Sequence, residues 1–278
     1  MERKGNKIEN WDNQYKEFKT TYTEQPKTAP ELANYLRFQF ILEDIQTYLP
    51  NYQTAKFIEV GCGGARTSLF LSLRGCNVTC CDFSPEAIRL AQDNFSSNNA
   101  KGTFVQDDFM NSKLQPESYD CIMSFGLLEH FENINPVINN ITKYIKPGGI
   151  QIHNIIPKKF STQTIMHTLL YPYTFLKFAF KGDFNNIIKK SFRVFPHFEN
   201  TFSAKYYCKA FENSGNTILK CEPEGFIYPI LALTPFLGKF IVSHISWLAK
   251  TLIKATDRTE SKILHTLSPT FNVICRKN

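Results

Sequence analysis

Glycines that break an apolar run, with acids placed beside them, are the residues in this chain best suited to holding a ligand. The apolar segment Phe57–Val60 carries Glu59 and is followed at once by Gly61 and Gly63. Glycines at such a point allow a tight turn and let a ligand approach where a Cβ would collide. Arg66 stands where a dinucleotide-binding turn has its third glycine, so close packing against a pyrophosphate is not expected. Glu59 instead suits a cationic amino group.

A second acid, Asp82, ends the β-prone segment Val78–Asp82 and lies 21 positions after the first glycine of the turn. This is the spacing at which a carboxylate binds the hydroxyls of a ribose in nucleotide-binding folds. A third β-prone segment ends at Asp107-Asp108, and a fourth spans Tyr119–Phe125. Strands that alternate with helix-like segments predict an α/β fold, in which the carboxyl ends of parallel strands share one edge of the sheet.

The later elements are predicted from their start and stop signals. Asn135 and Pro136 begin a helix that places Val137, Ile141, Tyr144 and Ile145 on one face, and Gly148 ends it. A buried fifth strand follows at 150–156. A sixth strand is predicted around 217–221 and a last one at 270–275.

Over roughly residues 55 to 157, the chain resembles the class I S-adenosylmethionine (SAM)-dependent methyltransferases, and within them the type-11 branch that includes quinone-biosynthesis methyltransferases. The resemblance rests on the order and spacing of the glycine turn, Asp82, Asp107-Asp108, Ser118-Tyr119-Asp120, Glu129-His130-Phe131 and Lys146-Pro147-Gly148-Gly149. Two positions depart from the family pattern, because Glu59 stands where Asp is commoner and Ala65 replaces the usual last glycine. The resemblance implies a doubly wound, mostly parallel seven-stranded sheet with an antiparallel last strand, under a helical, apolar and basic cap.

The resemblance also implies SAM as the cofactor and a role for individual residues. Glu59 and the backbone of the glycine turn would hold the methionine part of SAM, and Asp82 would hold the ribose hydroxyls. Asp108 with the Phe109 amide would hold the adenine edge, although Asp107 could exchange roles with Asp108. The implied cofactor-binding residues are Glu59, Gly61, Cys62, Gly63, Asp82, Phe83, Asp107, Asp108, Phe109 and Phe125. The alternative is an α/β domain whose glycines serve only the turn and whose acids are solvated strand ends.

Methyl transfer from a sulfonium requires mainly alignment of the acceptor and exclusion of water, but an oxygen acceptor would benefit from a general base. His130, just after the fourth strand, is the first candidate, and it could instead only orient Glu129 or the cofactor loop. His153 is the second candidate, for which a hydrogen-bonded core histidine is the favoured alternative. Glu129 and His130 are too few to make a metal site, so no metal is predicted.

The charge of the chain is unevenly distributed. Residues 1–156 carry 15 Lys+Arg against 18 Asp+Glu, a net −3, whereas residues 157–278 carry 17 against 7, a net +10. The basic half is also rich in aromatic and apolar residues, with a first concentration at 171–181. This combination favours an anionic or membrane surface over a freely diffusing polar substrate. The aromatic residues lie in aliphatic runs and are not interleaved with arginines, which disfavours nucleic acid as a partner.

Four segments are expected along the chain. They are an N-terminal helical segment over the cofactor site at 1–50, a SAM-binding core at 51–157, a cap insertion at 158–202, and the end of the sheet at 203–278 with a second cap insertion at about 226–268. Trp11 and Tyr15 either cover the cofactor or pack against the sheet. Three interpretations of the apolar stretch 226–249 remain: a cap helix over the substrate, a membrane-facing element and an oligomer interface. The prolines in this stretch argue against a membrane span.

The sequence thus favours a cytoplasmic SAM-dependent enzyme that methylates a hydroxyl oxygen of a hydrophobic small molecule or lipid-like acceptor, with peripheral membrane association left open. The polar residues 1–7 do not resemble a secretory signal, and eight cysteines in such a chain fit free thiols in a reducing compartment. A non-catalytic SAM-binding interaction subunit and an RNA or protein methyltransferase are the alternatives. Ser124–Leu127 lacks the motif expected for methylation of adenine or glutamine amines. The oligomeric state is not predicted.

Overall fold

The computed structural model describes residues 7–17, 22–112, 114–166, 168–169, 197–228, 240, 244 and 246–278. The aromatic concentration at 171–181 and most of the apolar stretch 226–249 lie outside these residues. The helices are α1 Ile8–Glu17, α2 Ala29–Tyr48, α3 Arg66–Ser72, α4 Pro85–Ser97, α5 Asn135–Tyr144, α6 Ala204–Asn213, α7 Ser246–Asp257 and α8 Lys262–Leu267. The strands are β1 Lys56–Val60, β2 Asn77–Asp82, β3 Thr103–Gln106, β4 Tyr119–Phe125, β5 Ile145–Ile155, β6 Asn216–Glu224 and β7 Thr270–Lys277.

The seven strands form one sheet in the order β3-β2-β1-β4-β5-β7-β6. Strands β1 to β5 pair in parallel, and β7 runs antiparallel to both β5 and β6. The strand order reverses between β1 and β4, and ligands of doubly wound sheets bind outside the carboxyl ends of the strands at such a point. The predicted fold class, with its mostly parallel seven-stranded sheet and antiparallel last strand, is therefore confirmed.

Side chains alternate along each strand between two buried clusters on opposite faces of the sheet. Phe57 contributes to the cluster beneath α2, α3 and α4, and its neighbour Ile58 contributes to the cluster beneath α5 and α6. This two-residue period is what a strand covered by helices on both faces requires. The two helical layers leave the carboxyl edge of the sheet as the place for a ligand.

The junction between α5 and β5 differs from the sequence-based prediction. The helix begins at Asn135 as predicted, but it ends at Tyr144, and Ile145 already belongs to β5. Ile145 pairs with Tyr119 of β4, and the register then shifts before Ile150 pairs with Cys121. Pairing with a strand more than twenty residues away thus overrides the local helical pattern, and Gly148, with a φ of +76°, lies inside the irregular strand.

Candidate functional site

The glycine turn after β1 has a backbone that side chains would obstruct. Gly61 and Gly63 have φ angles of +64° and +50°, in the left-handed region that favours glycine. A Cβ on Gly63 would lie 2.9 Å from the hydroxyl oxygen of Tyr15, and one on Gly61 would lie 2.7 Å from Leu127 Cδ1. Ala65, which replaces the usual last glycine, adopts a φ of +49° at the start of α3. The turn therefore brings backbone atoms to the surface of the site at the edge of the sheet.

Glu59 is a buried carboxylate held by one neighbouring residue. Its Oε2 atom accepts hydrogen bonds from the Ser68 backbone N–H at 3.1 Å and from Ser68 Oγ at 2.6 Å. Burial raises the pKa of Glu59 to about 7, and the bonds from Ser68 oppose that rise because they favour the charged form. Glu59 therefore gains or loses its proton near neutral pH, and a cation placed against it would increase the ionised fraction of the carboxyl group.

Asp82 connects β2 to the glycine turn. Its Oδ2 atom accepts from the Gly63 N–H at 2.9 Å, and its Oδ1 atom accepts from the Ser84 N–H at 3.0 Å. A carboxylate oxygen has capacity for a further donor beyond one backbone N–H. Asp82 thus orients the turn and can still receive the hydroxyls of a ligand.

A cavity of about 260 Å³ lies over the carboxyl edge of the sheet and is bounded by the glycine turn, by residues after β4 and by α1. The sequence-predicted cofactor residues that line it are Glu59, Gly61, Cys62, Gly63, Asp82, Phe83, Phe109 and Phe125. His130 lines the same cavity. Carboxylates, backbone N–H groups and aromatic rings are thus brought together from segments that are more than sixty residues apart in the chain.

Asp107 and Asp108 do not line the cavity, although the sequence predicted them as cofactor ligands. Asp107 Oδ2 accepts from Ser112 Oγ at 2.6 Å, and Asp108 Oδ1 accepts from the Met110 N–H at 3.1 Å. Both carboxylates thus hold the short helical turn Phe109–Asn111, which places Phe109 at the cavity wall. The ligand role of these two acids stays a prediction.

Helix α1 covers the cavity through its aromatic face. Trp11 and Tyr15 both line the cavity, and Asp12 accepts a hydrogen bond from the hydroxyl of Ser84, next to Asp82. The Trp11 ring also stacks on His197, with centroids 3.8 Å apart and an interplanar angle of 8°. Of the two arrangements that the sequence left open for Trp11 and Tyr15, the structure has the one in which they cover the site.

His130 has a defined tautomer at the cavity wall. Its Nδ1 lies 2.7 Å from the carbonyl oxygen of Phe198, and since a carbonyl only accepts, Nδ1 carries the hydrogen and Nε2 the lone pair. Burial lowers the pKa of His130, and the nearby His197 lowers it further. His130 is therefore a neutral imidazole at pH 7, which is the form that a general base requires.

Glu129 lies beneath the cavity wall and does not line it. The residue is 2% exposed, and its Oε2 atom has no hydrogen-bond partner among the described residues. Burial raises the pKa of Glu129 to about 8, so the carboxyl group is mostly protonated at neutral pH. Asn200 donates its backbone N–H to the Glu129 carbonyl at 2.7 Å, which ties this turn to the segment that contains Phe198.

His153, the second predicted catalytic histidine, is a core residue, so that prediction is wrong. Its Nδ1 lies 2.7 Å from Ser124 Oγ, its ring stacks on Phe211 of α6, and it has no exposed surface. Because side chains alternate along a strand, its neighbour Asn154 lines the cavity and His153 does not. Burial lowers the pKa of His153 to about 3, which keeps the ring neutral.

The cavity is also lined by two arginines that were not predicted from the sequence as site residues. Arg37 extends from α2, and Arg66 begins α3 directly after the glycine turn. No motif marks Arg37, because it lies more than twenty residues before the turn. Arg66 occupies the position of the third glycine of a dinucleotide-binding turn, and a cation at that position is a sequence signal that the site also receives an anion.

Residues 57–149, about one third of the chain, match the family model described as a methyltransferase domain. These residues form a SAM-dependent methyltransferase domain of class I. The ubiquinone biosynthesis O-methyltransferase of Rickettsia typhi is 31% identical over 126 residues, which are 44% of this chain and 50% of that protein. The chain thus spans about half the length of the curated relatives it matches.

Solved structures extend the likeness of fold beyond that domain. A SAM-dependent methyltransferase from Clostridium acetobutylicum ATCC 824 has a TM-score of 0.54 at 11% identity, over 87% of this chain and 91% of that one. The magnesium protoporphyrin IX methyltransferase of Synechocystis PCC 6803, solved with bound S-adenosylhomocysteine, has a TM-score of 0.52 at 13% identity, over 98% and 94%. At these identities the likeness concerns the fold, and it confirms the fold class predicted from the sequence.

The residues present fit SAM, the cofactor of this class. The ammonium group of SAM requires an acid, and buried Glu59 is one. The ribose requires a carboxylate, which Asp82 provides. The adenine requires an apolar wall, which Phe83 and Phe109 form. The carboxylate of SAM requires a cation, which the arginines supply. The prediction of SAM as the cofactor is thus confirmed.

Proposed function

We propose that this protein transfers a methyl group from SAM to a hydroxyl oxygen of a hydrophobic small molecule or lipid-like acceptor. The observation that carries the proposal is a cavity lined by the Glu59 and Asp82 carboxylates and by the neutral imidazole of His130. The names of the curated relatives favour an oxygen acceptor over the alternatives of an RNA or protein substrate or a non-catalytic subunit.

When bound, SAM supplies an electrophilic methyl group on a positively charged sulfur. Glu59, held by Ser68, would bind the ammonium group, and Asp82 would bind the ribose hydroxyls. An arginine of the cavity wall would hold the cofactor carboxylate. Trp11 and Tyr15 on α1 would exclude water from the cavity, which strengthens each of these charged contacts.

The acceptor hydroxyl would lose its proton to Nε2 of His130. The lone pair is on Nε2 because Nδ1 donates to the Phe198 carbonyl, and that bond also fixes the plane of the ring. The segment that contains Phe198 is held in turn by the bond from Asn200 to the Glu129 carbonyl. We therefore assign Glu129 a positioning role beneath His130, and aromatic side chains such as Phe125 the task of holding an apolar acceptor.

The test begins with calorimetric titration of S-adenosylhomocysteine (SAH), the demethylated cofactor. We expect Asp82→Ala to weaken SAH binding by about ten- to a hundredfold, since hydrogen bonds to charged groups contribute about 1.5 to 3 kcal/mol. Asp93→Ala is the matched control, because that side chain is on the exposed face of α4 and pairs with Arg89. Absence of SAH binding to the natural protein would remove the proposed function.

Turnover is then measured as SAH release over a panel of apolar hydroxyl compounds and their O-methylated counterparts. With an accepted compound, His130→Ala should lower the rate by about 10²- to 10³-fold and leave SAH affinity unchanged. Asp93→Ala, on the exposed face of α4, is again the control. An unchanged rate in the His130 variant would exclude it as the base, and methylation of the blocked compounds would exclude a hydroxyl acceptor.

We also propose a cytoplasmic location with peripheral contact to a membrane surface. Helix α7 exposes Trp247 and Leu252, at 66% and 42%, beside the exposed lysines Lys250 and Lys254. Such a face suits the boundary between apolar chains and anionic headgroups. Among the described residues, no helix has the length and apolar character to cross a bilayer. If the protein stays in the supernatant with anionic vesicles at low salt, the membrane contact is withdrawn.

A further inference from the structure

Arg66 is a cation in the cavity that no carboxylate contacts directly among the described residues. Its side chain lines the cavity and is half-buried, and it makes no hydrogen bond or ion pair with any residue in the described part of the chain. Burial lowers the pKa of Arg66 to about 10, the charge of Arg37 contributes to the decrease, and the charge of Glu59 opposes it. A guanidinium removed from water in this way is costly unless an anion is placed against it.

The neighbouring charges already have partners. Arg37 Nη1 lies 3.6 Å from Glu224 and Nη2 donates to Asn34 Oδ1 at 3.2 Å, and only its Nε lacks a hydrogen-bond partner among the described residues. Glu59 accepts both of its hydrogen bonds from Ser68, and no ion pair joins it to Arg66 among the described residues. Among the described residues, the N–H groups of Arg66 thus have no acceptor in direct contact, and Glu59 acts on Arg66 only through its charge.

We propose that Arg66 forms a subsite that binds a carboxylate group inside the cavity. The planar guanidinium presents two parallel N–H donors that match the two oxygens of a carboxylate. Two sources supply this chemistry, namely the cofactor's own carboxylate and an acid group on the methyl acceptor. The inference rests on the proposed function, and if the acceptor is the source, it narrows the acceptors to apolar molecules that carry an acid.

The test compares ligand pairs that differ in the carboxylate. SAH is paired with 5′-methylthioadenosine, which lacks the amino-acid end, and benzoate is paired with benzamide on protein saturated with SAH. Affinities are measured by calorimetry or ligand-observed NMR for the natural protein, Arg66→Gln and Arg66→Lys. Arg89→Gln is the matched control, since Arg89 pairs with Glu86 and Asp93 on the outer face of α4.

If the cofactor is the source, Arg66→Gln weakens SAH by about ten- to a hundredfold and leaves 5′-methylthioadenosine unchanged. If the acceptor is the source, SAH is unchanged, and the preference of the natural protein for benzoate over benzamide disappears in the variant. In either case Arg66→Lys should bind the carboxylate ligand more tightly than Arg66→Gln and more weakly than the natural protein. The reason is that lysine retains the positive charge but lacks the paired donors. Thermal unfolding of each variant shows that the comparison is made on folded protein.

The proposal is overturned if Arg66→Gln changes neither the ratio of SAH to 5′-methylthioadenosine affinity nor the ratio of benzoate to benzamide affinity. That result, with normal SAH binding by the natural protein, would leave the proposed function intact. If the natural protein binds no SAH, the proposed function fails, and the benzoate and benzamide comparison on ligand-free protein then decides the carboxylate subsite by itself.

Discussion

Binding of SAH should release a proton from Glu59. Burial raises the pKa of this carboxyl from 4.5 to about 7, while the proposed site requires its ionised form against the ligand's ammonium group. With a pKa of about 7, Glu59 holds about 0.9 proton at pH 6 and about 0.1 at pH 8. We therefore expect release of about 0.9 proton per SAH at pH 6 and about 0.1 at pH 8, with affinity falling toward tenfold per pH unit below 7.

Isothermal titration in buffers of different ionisation enthalpy measures this proton count. Glu59→Gln is the matched variant, because it keeps the shape and an acceptor for the bonds from Ser68 but cannot ionise. The variant should bind SAH more weakly at pH 8 and release no proton from this position. 5′-Methylthioadenosine, which lacks the ammonium group, should bind the natural protein without proton release. A proton count that is the same in the natural protein and in Glu59→Gln would refute the assignment of Glu59 to the ammonium group.

The same raised pKa has a consequence for stability without ligand. An acid whose folded-state pKa is above its unfolded value stabilises the fold below the unfolded value, and this stabilisation is lost as pH rises through the folded value. The difference between 4.5 and about 7 corresponds to about 3 kcal/mol. The unfolding free energy of Glu59→Gln, relative to the natural protein, should thus increase by up to that amount between pH 4.5 and 7. Urea titrations at several pH values measure it, and a pH-independent difference would contradict the buried position of the charge.

Three further substitutions test the site and its surroundings. Asp12→Ala removes the acceptor that connects α1 to Ser84, and SAH affinity should fall by about tenfold in calorimetry with little loss of fold stability. Gly63→Ala places a Cβ 2.9 Å from the Tyr15 hydroxyl at a φ of +50°. We therefore expect α1 to be displaced and SAH affinity to be reduced. Unchanged SAH affinity would contradict the packing of Tyr15 against the glycine turn. His153→Ala should lower the unfolding free energy by about 3 kcal/mol in urea without altering SAH affinity. Since burial lowers the pKa of His153 from 6.5 to about 3, the natural protein should lose stability as pH falls below 6.5, and this loss should be absent in the variant.

The glycine turn and the strand ends could be predicted from the sequence because their signals are local. Left-handed backbone at Gly61 and Gly63 favours glycine whatever surrounds it, and the carboxylates Glu59 and Asp82 are placed by the strands that carry them. The start of α4 was predictable for the same reason, since Ser84 caps it through its own side chain, with Oγ accepting from the Ala87 N–H at 3.1 Å.

Contacts between distant segments could not be predicted in this way. Ile145 fits a helical pattern, yet its pairing with Tyr119 makes it part of a strand. Asp107 and Asp108 occupy the expected positions in sequence, but one oxygen of each accepts a hydrogen bond from the turn that follows, and neither residue lines the cavity. The covering of the site by Trp11 depends on a stack with His197, nearly 190 residues later in the chain.

The sequence by itself thus determined the fold class, the ligand-binding turn and its two acids, because backbone conformation and strand periodicity are properties of a few consecutive residues. Tertiary structure alone decided which polar groups face the cavity. It placed Arg37 and Arg66 there and buried His153 on the opposite face of the sheet. The physical reason is that the partners and the burial of a side chain depend on residues brought close only when the sheet and its helices have packed.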